Sequence, residues 1–171
     1  MDSNVEVSVK IEIFKRELNY IKSDRIRESA VVLVELIPDY FFHEAASSTG
    51  KYHPLFSQGE GGLLRHTKVA VRIAYELLCN NTTGKGFTSN EKDLIILSLL
   101  MHDSVKRGNG KIMHAFDHPI LASNLIKENK EKIQLSEDEI SLVCSMIETH
   151  MGEWTKDYSG NEILEAPASK Y

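Results

Sequence analysis

Apolar positions recur with helical spacing along most of this chain, and no segment alternates with the period of two that a half-buried strand shows. Residues from about Val9 to Tyr20 predict a first helix, with Ile11, Phe14, Leu18 and Ile21 on one face. Asp24 is expected to cap a second, which runs through Ala30, Val31, Val34 and Ile37 until Pro38 breaks it. The stretch PDYFFHEAASSTGKYHPLFSQGEGG is irregular and long for a structureless loop, which points to function or to short helical turns. From Leu63 to Leu78 the period is again helical, with Leu63, Ala70, Ile73, Ala74 and Leu77 as the expected inward stripe. After the polar turn NNTTGKGFTSN, Ser89 or Asn90 is expected to cap a helix containing LIILSLLM, which is apolar almost all round and so belongs at the centre of a bundle. A further helix is predicted from His118-Pro119 to about Glu128. Ser136 and Glu139 form a capping box that opens another, with Val143, Met146, Ile147 and His150 on one face. The tail from Gly152 is polar and loop-like, and no internal repeat is present. The expected fold class is all-α, in one domain over residues 1–171.

Composition narrows the class without naming a function. A chain of 171 residues is long enough to bury a core without disulfides or a structural metal. Apolar residues at 42% and charged residues at 26% are globular rather than disordered values. No apolar run reaches the roughly 18–20 residues that span a bilayer. The segment MDSNVEVSVKIEIFK lacks a basic stretch followed by an apolar one, so no secretory signal is read there and a cytoplasmic location is expected. Cys79 and Cys144 each lie in an apolar helical stretch and are expected to be buried small hydrophobes rather than a disulfide or ligands. A formal net charge of −5 argues against coating nucleic acid by bulk electrostatics, while leaving room for a small basic pocket around one phosphate.

The histidines change the picture more. His66, His102, His118 and His150 come from four separate elements, each in a position that can point inward, and Asp103 directly follows His102. Burying four imidazoles with a carboxylate is costly unless they pair or bind a metal. Mixed His/Asp ligation suits Mn, Fe, Ni or Zn, and an oxygen-rich completion admits Mg. His43 and His53 read as ordinary histidines. The loop RGNGK has glycines and bases suited to a phosphate but lacks Walker spacing. Its Arg107 and Lys111, with Lys51 and Arg65, are substrate-contact candidates.

Four segments in this order, GGLLRHT at His66, LLMHDSVK at His102-Asp103, FDHPILAS at His118 and IETHMGEW at His150, resemble the HD-domain superfamily of metal-dependent phosphohydrolases. The likeness runs from about Ala45 to Trp154, leaving residues 1–44 as N-terminal helices outside the motif region and 155–171 as a tail. GGLLRHTxxV with HD and a following HP is most similar to the HD domain of YhaM-type bacterial 3′–5′ exoribonucleases and to small phage-encoded HD proteins. The resemblance implies an HD-domain-like helical bundle with one or two divalent ions. His66, His102 and Asp103 would hold one ion and His118 and His150 the second, with Asp103 bridging and a metal-bound hydroxide attacking phosphorus. Lys106 matches the lysine of an HDxxK variant, which would bind a phosphate oxygen or protonate the leaving group. His114 would be a pocket residue near the second metal. The family pattern continues with an Asp on a helix after the last histidine. Here the sequence reads APASKY where that helix would begin, and Asp157 lies in a polar loop.

The implied activity is that of a phosphodiesterase or nuclease acting on nucleotides or short nucleic acids. A nucleotide phosphatase or dNTP triphosphohydrolase is the enzymatic alternative. A non-catalytic nucleotide-binding HD module with an incomplete metal site is another, and a helical interaction protein with core histidines is the third.

Overall fold

The structure, a computed structural model, describes residues 8–47, 53–107, 115–157 and 159–168. Among them are the helices α1 (Val9–Leu18), α2 (Asp24–Glu35), α3 (Gly62–Cys79), α4 (Ser89–Met101), α5 (His118–Glu128) and α6 (Glu137–Glu148). The described residues contain no strand, only an isolated antiparallel bridge between Lys156 and Glu162. The fold is all-α. Among the described residues, no helix is long and apolar enough to cross a membrane.

The most apolar helix lies at the centre. α4 packs against α2, α3 and α6, and Leu94, Ile96, Leu97, Leu100 and Met101 are buried on different sides of it. A helix that meets partners all round gains nothing from a polar face, which is why this one lacks the usual stripe. Its cap is Thr88 rather than Ser89 or Asn90. The Thr88 hydroxyl accepts from the Glu91 amide at 3.2 Å, and the Glu91 carboxylate accepts from the Thr88 amide at 2.7 Å.

The N-terminus of α2 is served from α4. Ser23 takes the cap position that the sequence assigns to Asp24, whose side chain pairs with Arg27 instead. Asp93 of α4 accepts hydrogen bonds from the amides of Lys22 (2.9 Å) and Ser23 (2.8 Å). Leu33 joins Ala30, Val34 and Ile37 in the core, whereas Val31 is half-buried. On α1 and just beyond it, Phe14, Leu18 and Ile21 are buried as the pattern predicts.

The face of α3 differs from the expected one. Leu63, Thr67, Val71 and Leu78 point into the core, while Ile73 and Leu77 are 55% and 52% exposed. Helical spacing fits both stripes, and packing against α4 selects the first. The Lys68 ammonium, which donates to the Ile13 carbonyl at 2.6 Å and pairs with Glu17 at 3.3 Å, ties an adjacent line of α3 to α1. Cys144 is buried as expected, but Cys79 at the end of α3 is exposed.

The described part of the long irregular stretch contains the short helical turns its length suggests, 3₁₀ turns at Asp39–Phe42 and Leu55–Ser57. It enters α3 through two glycines with different tasks. Gly61 has φ +68°, a left-handed conformation. Gly62 lies so close to the second turn that a Cβ there would stand 2.1 Å from the Ser57 carbonyl oxygen. At the other end of the chain, Pro119 sits in the first turn of α5, and Ser136 and Glu139 form the predicted capping box on α6. Glu139 also receives two 2.7 Å bonds from Arg25, which join α2 to α6 and hold its carboxyl down at about 2.

Candidate metal centre

Helix ends deliver the chemistry. His66 lies in the second turn of α3, His102 and Asp103 directly follow α4, His118 opens α5, and His150 follows α6 by two residues. Three of the imidazoles use the same local device. Nδ1 of His102 lies 2.7 Å from the Leu99 carbonyl, Nδ1 of His118 lies 2.7 Å from that of Ala115, and Nδ1 of His150 lies 2.7 Å from that of Ile147. A carbonyl can only accept, so these contacts assign the proton to Nδ1 and leave the Nε2 lone pair aimed inward. Metal-ligating histidines are commonly fixed in this way through their second nitrogen.

The inward atoms form two groups that share one carboxylate. In the first, His102 Nε2 lies 3.3 Å from His66 Nε2 and 3.4 Å from Asp103 Oδ2, and His66 Nε2 lies 3.8 Å from the same oxygen. In the second, His118 Nε2 lies 2.9 Å from Asp103 Oδ1 and 3.2 Å from His150 Nε2, and His150 Nε2 lies 3.5 Å from that oxygen. Ligands bound at about 2.1 Å stand about 3.0 Å apart along octahedral edges and about 3.4 Å apart along tetrahedral ones. Both groups fall near those spacings. Facing lone pairs at 3.2–3.3 Å repel each other unless a cation or proton lies between them. The donor set therefore fits a divalent ion in either group, with three protein donors and further coordination positions left over.

Electrostatics favour ligand-ready protonation. Burial lowers His102 to about 3 against the attraction of Asp103, and burial likewise lowers His66 and His118. All three are neutral at pH 7, as metal binding requires. Burial would raise Asp103, but the Lys106 ammonium at 2.7 Å, together with the surrounding imidazoles, holds it well below its ordinary value. Lys106 is itself buried and also contacts His118 Nε2 at 3.1 Å.

The other candidates engage partners of their own or lie outside the described residues. The Arg65 guanidinium donates to the carbonyls of Phe56 (2.6 Å), Glu60 (2.9 Å) and Gln58 (3.0 Å), clamping the turn before α3. Arg107 pairs with Glu44, its amide donates to the Tyr40 hydroxyl at 3.1 Å, and its guanidinium lies 5.4 Å from the Tyr40 ring centre. Lys51, Lys111 and His114 lie outside the described residues. Asp157 accepts from Ser159 and Asn161 in an exposed turn and joins neither donor group. His43 is exposed beside Glu60.

Two features of the site have no clear signal in the sequence. The His53 ring packs edge-on against that of His66, with centroids 4.7 Å apart. A cleft of about 320 Å³ opens beside His102 and His150, walled by Ile95, Leu99, Met146 and Pro167. In its wall the Ser98 hydroxyl donates to the Leu94 carbonyl and the Thr149 hydroxyl to that of Ser145. No family model matches the chain, and no curated protein or solved structure matches it.

Proposed function

We propose that this chain is a metal-dependent phosphohydrolase of the HD type, a phosphodiesterase or nuclease acting on nucleotides or short nucleic acids. The observation that carries the reading is the convergence of four imidazole Nε2 atoms on the two oxygens of a single buried carboxylate. A divalent ion held there would neutralise charge on phosphoryl oxygens and lower the pKa of a bound water. The chain's own groups would do the rest. Asp103 ties both donor groups together, and the Leu99, Ala115 and Ile147 carbonyls keep three imidazoles from turning away. Lys106 would set a positive charge against a phosphoryl oxygen bound beside Asp103. The apolar cleft beside His102 and His150 is suited to the organic part of the ester, such as a base.

The test combines elemental analysis of purified protein with a substrate panel: bis-p-nitrophenyl phosphate, a dinucleotide, cyclic mononucleotides and dNTPs. Bound Mn, Fe, Ni, Zn or Mg and turnover of a diester are expected, with turnover lost in Asp103→Asn. Diester turnover that survives undiminished in Asp103→Asn would sink the assignment. Preferential cleavage of mononucleotides or dNTPs would move it to the phosphatase or triphosphohydrolase alternative.

The placement of Asp157 favours a second reading, a nucleotide-binding HD module without turnover. That carboxylate is held in its own turn and does not add a fourth protein donor to the first group. Metal and nucleotide binding with no product from any substrate in the panel would select this reading.

A further inference from the structure

The two donor groups look equivalent by distance but differ in what already occupies their lone pairs. A neutral imidazole has a single in-plane lone pair, on its unprotonated nitrogen, so that nitrogen either accepts a hydrogen bond or binds a cation. His118 holds its Nδ1 against the Ala115 carbonyl at 2.7 Å, which leaves the lone pair on Nε2. That lone pair meets the ammonium of Lys106 at 3.1 Å. The same ammonium lies 2.7 Å from Asp103 Oδ1. Lys106 therefore engages two of the three donor atoms of the second group, whereas the first group takes Asp103 through its other oxygen, Oδ2.

Charge points the same way. Lys106 is 7% exposed and Asp103 is 1% exposed, so neither is well screened by water. Two divalent ions and an ammonium would face a single carboxylate, a crowding of like charge that buried surroundings penalise heavily. One divalent ion plus the ammonium is the lighter load.

Resting on the metal-centre reading above, we propose that Lys106 is the built-in cation of the second donor group. The native chain then holds one divalent ion, at His66, His102 and Asp103, and admits a second at Asp103, His118 and His150 only when the ammonium is removed. Lys106 would thus set the metal stoichiometry, doing with a fixed charge what a second ion would otherwise do.

The experiment titrates metal-free native protein, Lys106→Met and Lys106→Gln with Mn²⁺. Bound ions per chain are read by elemental analysis after gel filtration and by calorimetry, and helix content by circular dichroism. About one ion is expected on the native chain and about two on either variant. Adding His150→Ala to Lys106→Met should return the count to about one, which locates the second ion. Loss of its buried partner destabilises Asp103 in the metal-free variants, so Mn²⁺ should raise their Tm by more than it raises the native Tm. A native chain that takes up two ions with comparable affinity overturns the proposal without any variant. Folded Lys106 variants that stay at one ion overturn it too, and in both cases the metal centre still stands. Failure of the native chain and of both variants to bind Mn²⁺ removes the metal centre itself, and the proposal with it.

Discussion

His102 and Asp103 are consecutive in the chain, yet their side chains meet, with His102 Nε2 3.4 Å from Asp103 Oδ2. Successive positions on a helix point about 100° apart. The pair converges at the point where α4 gives way to a turn, so the imidazole can fold back onto the Leu99 carbonyl while the carboxylate reaches the same space. The adjacency that makes the dipeptide recognisable is thus also what gives the first donor group its shortest contact between His and Asp.

His66 offers the cleanest separation of a metal centre from a set of core histidines. Its side chain is 25% exposed, the most of the four, so truncation leaves no large cavity. His66→Ala is expected to change unfolding stability by less than about 1 kcal/mol. Mn²⁺ affinity, measured by chelator competition, should fall by at least the roughly 100-fold that changes behind a ligand can reach. A variant that shifts Tm and leaves metal affinity untouched would favour the interaction-protein reading.

Acid should weaken the metal-free protein from neutral pH downward. Burial lowers His66, His102 and His118 in the folded chain, His102 to about 3 from an ordinary 6.5. Between those values the unfolded chain binds more protons, so this contribution is complete above about pH 6.5 and is lost as pH falls toward the folded values. Each imidazole contributes up to about 1.4 kcal/mol per pH unit within its window. Tm measured at about pH 5.5 should therefore lie at least roughly 5 °C below that at about pH 7.5. A Tm that is flat across this range would contradict neutral, inward-facing Nε2 atoms.

Asp93 should matter to folding far more than a charged residue on an ordinary helix. It is 4% exposed and accepts the amides of Lys22 and Ser23 at the start of α2. Asp93→Ala removes both acceptors and is expected to cost about 2–4 kcal/mol in urea unfolding. Asp93→Asn retains one carbonyl acceptor and should fall between the two. Equal stability of native and Ala proteins would refute the cross-helix cap.

Gly62 links fold to site. Its absent side chain lets Ser57 approach the start of α3, one turn before His66. Gly62→Ala must push the turn and the helix apart, at a cost of about 2–3 kcal/mol. Because the displacement carries His66 with it, Mn²⁺ affinity should drop as well. Unchanged stability and affinity would show that the close approach is not required.

Much of this architecture can be read from local pattern. The central position of LIILSLLM, the Ser136–Glu139 capping box, Pro119 in the first turn of α5 and the core face of α1 all follow from signals within one or two turns of chain. His150 was legible for a related reason, since it closes the α6 stripe of Val143 and Ile147, and His102 because it ends the central helix, whereas the α3 stripe expected alongside His66 is not the one that packs. Other features were not legible because they depend on partners far away in sequence. Helical spacing could not choose between the two faces of α3, and contact with α4 exposed Ile73 and Leu77 instead of burying them. The two arginines carry no local sign that backbone carbonyls would engage Arg65, or that Glu44 and Tyr40 would engage Arg107.

By itself, the sequence determined that the chain is helical, which helix is central, and which imidazoles and carboxylate come to the ends of the elements around it. Those properties are set by periodicity and caps, which act over a few residues. Tertiary structure decided how these groups divide: Oδ2 of Asp103 turns to one pair of histidines and Oδ1 to the other, with Lys106 on the second side. That division depends on differences of a few tenths of an ångström among separations of 2.9–3.8 Å between atoms from different helices. Only the packing of those helices against one another sets such distances.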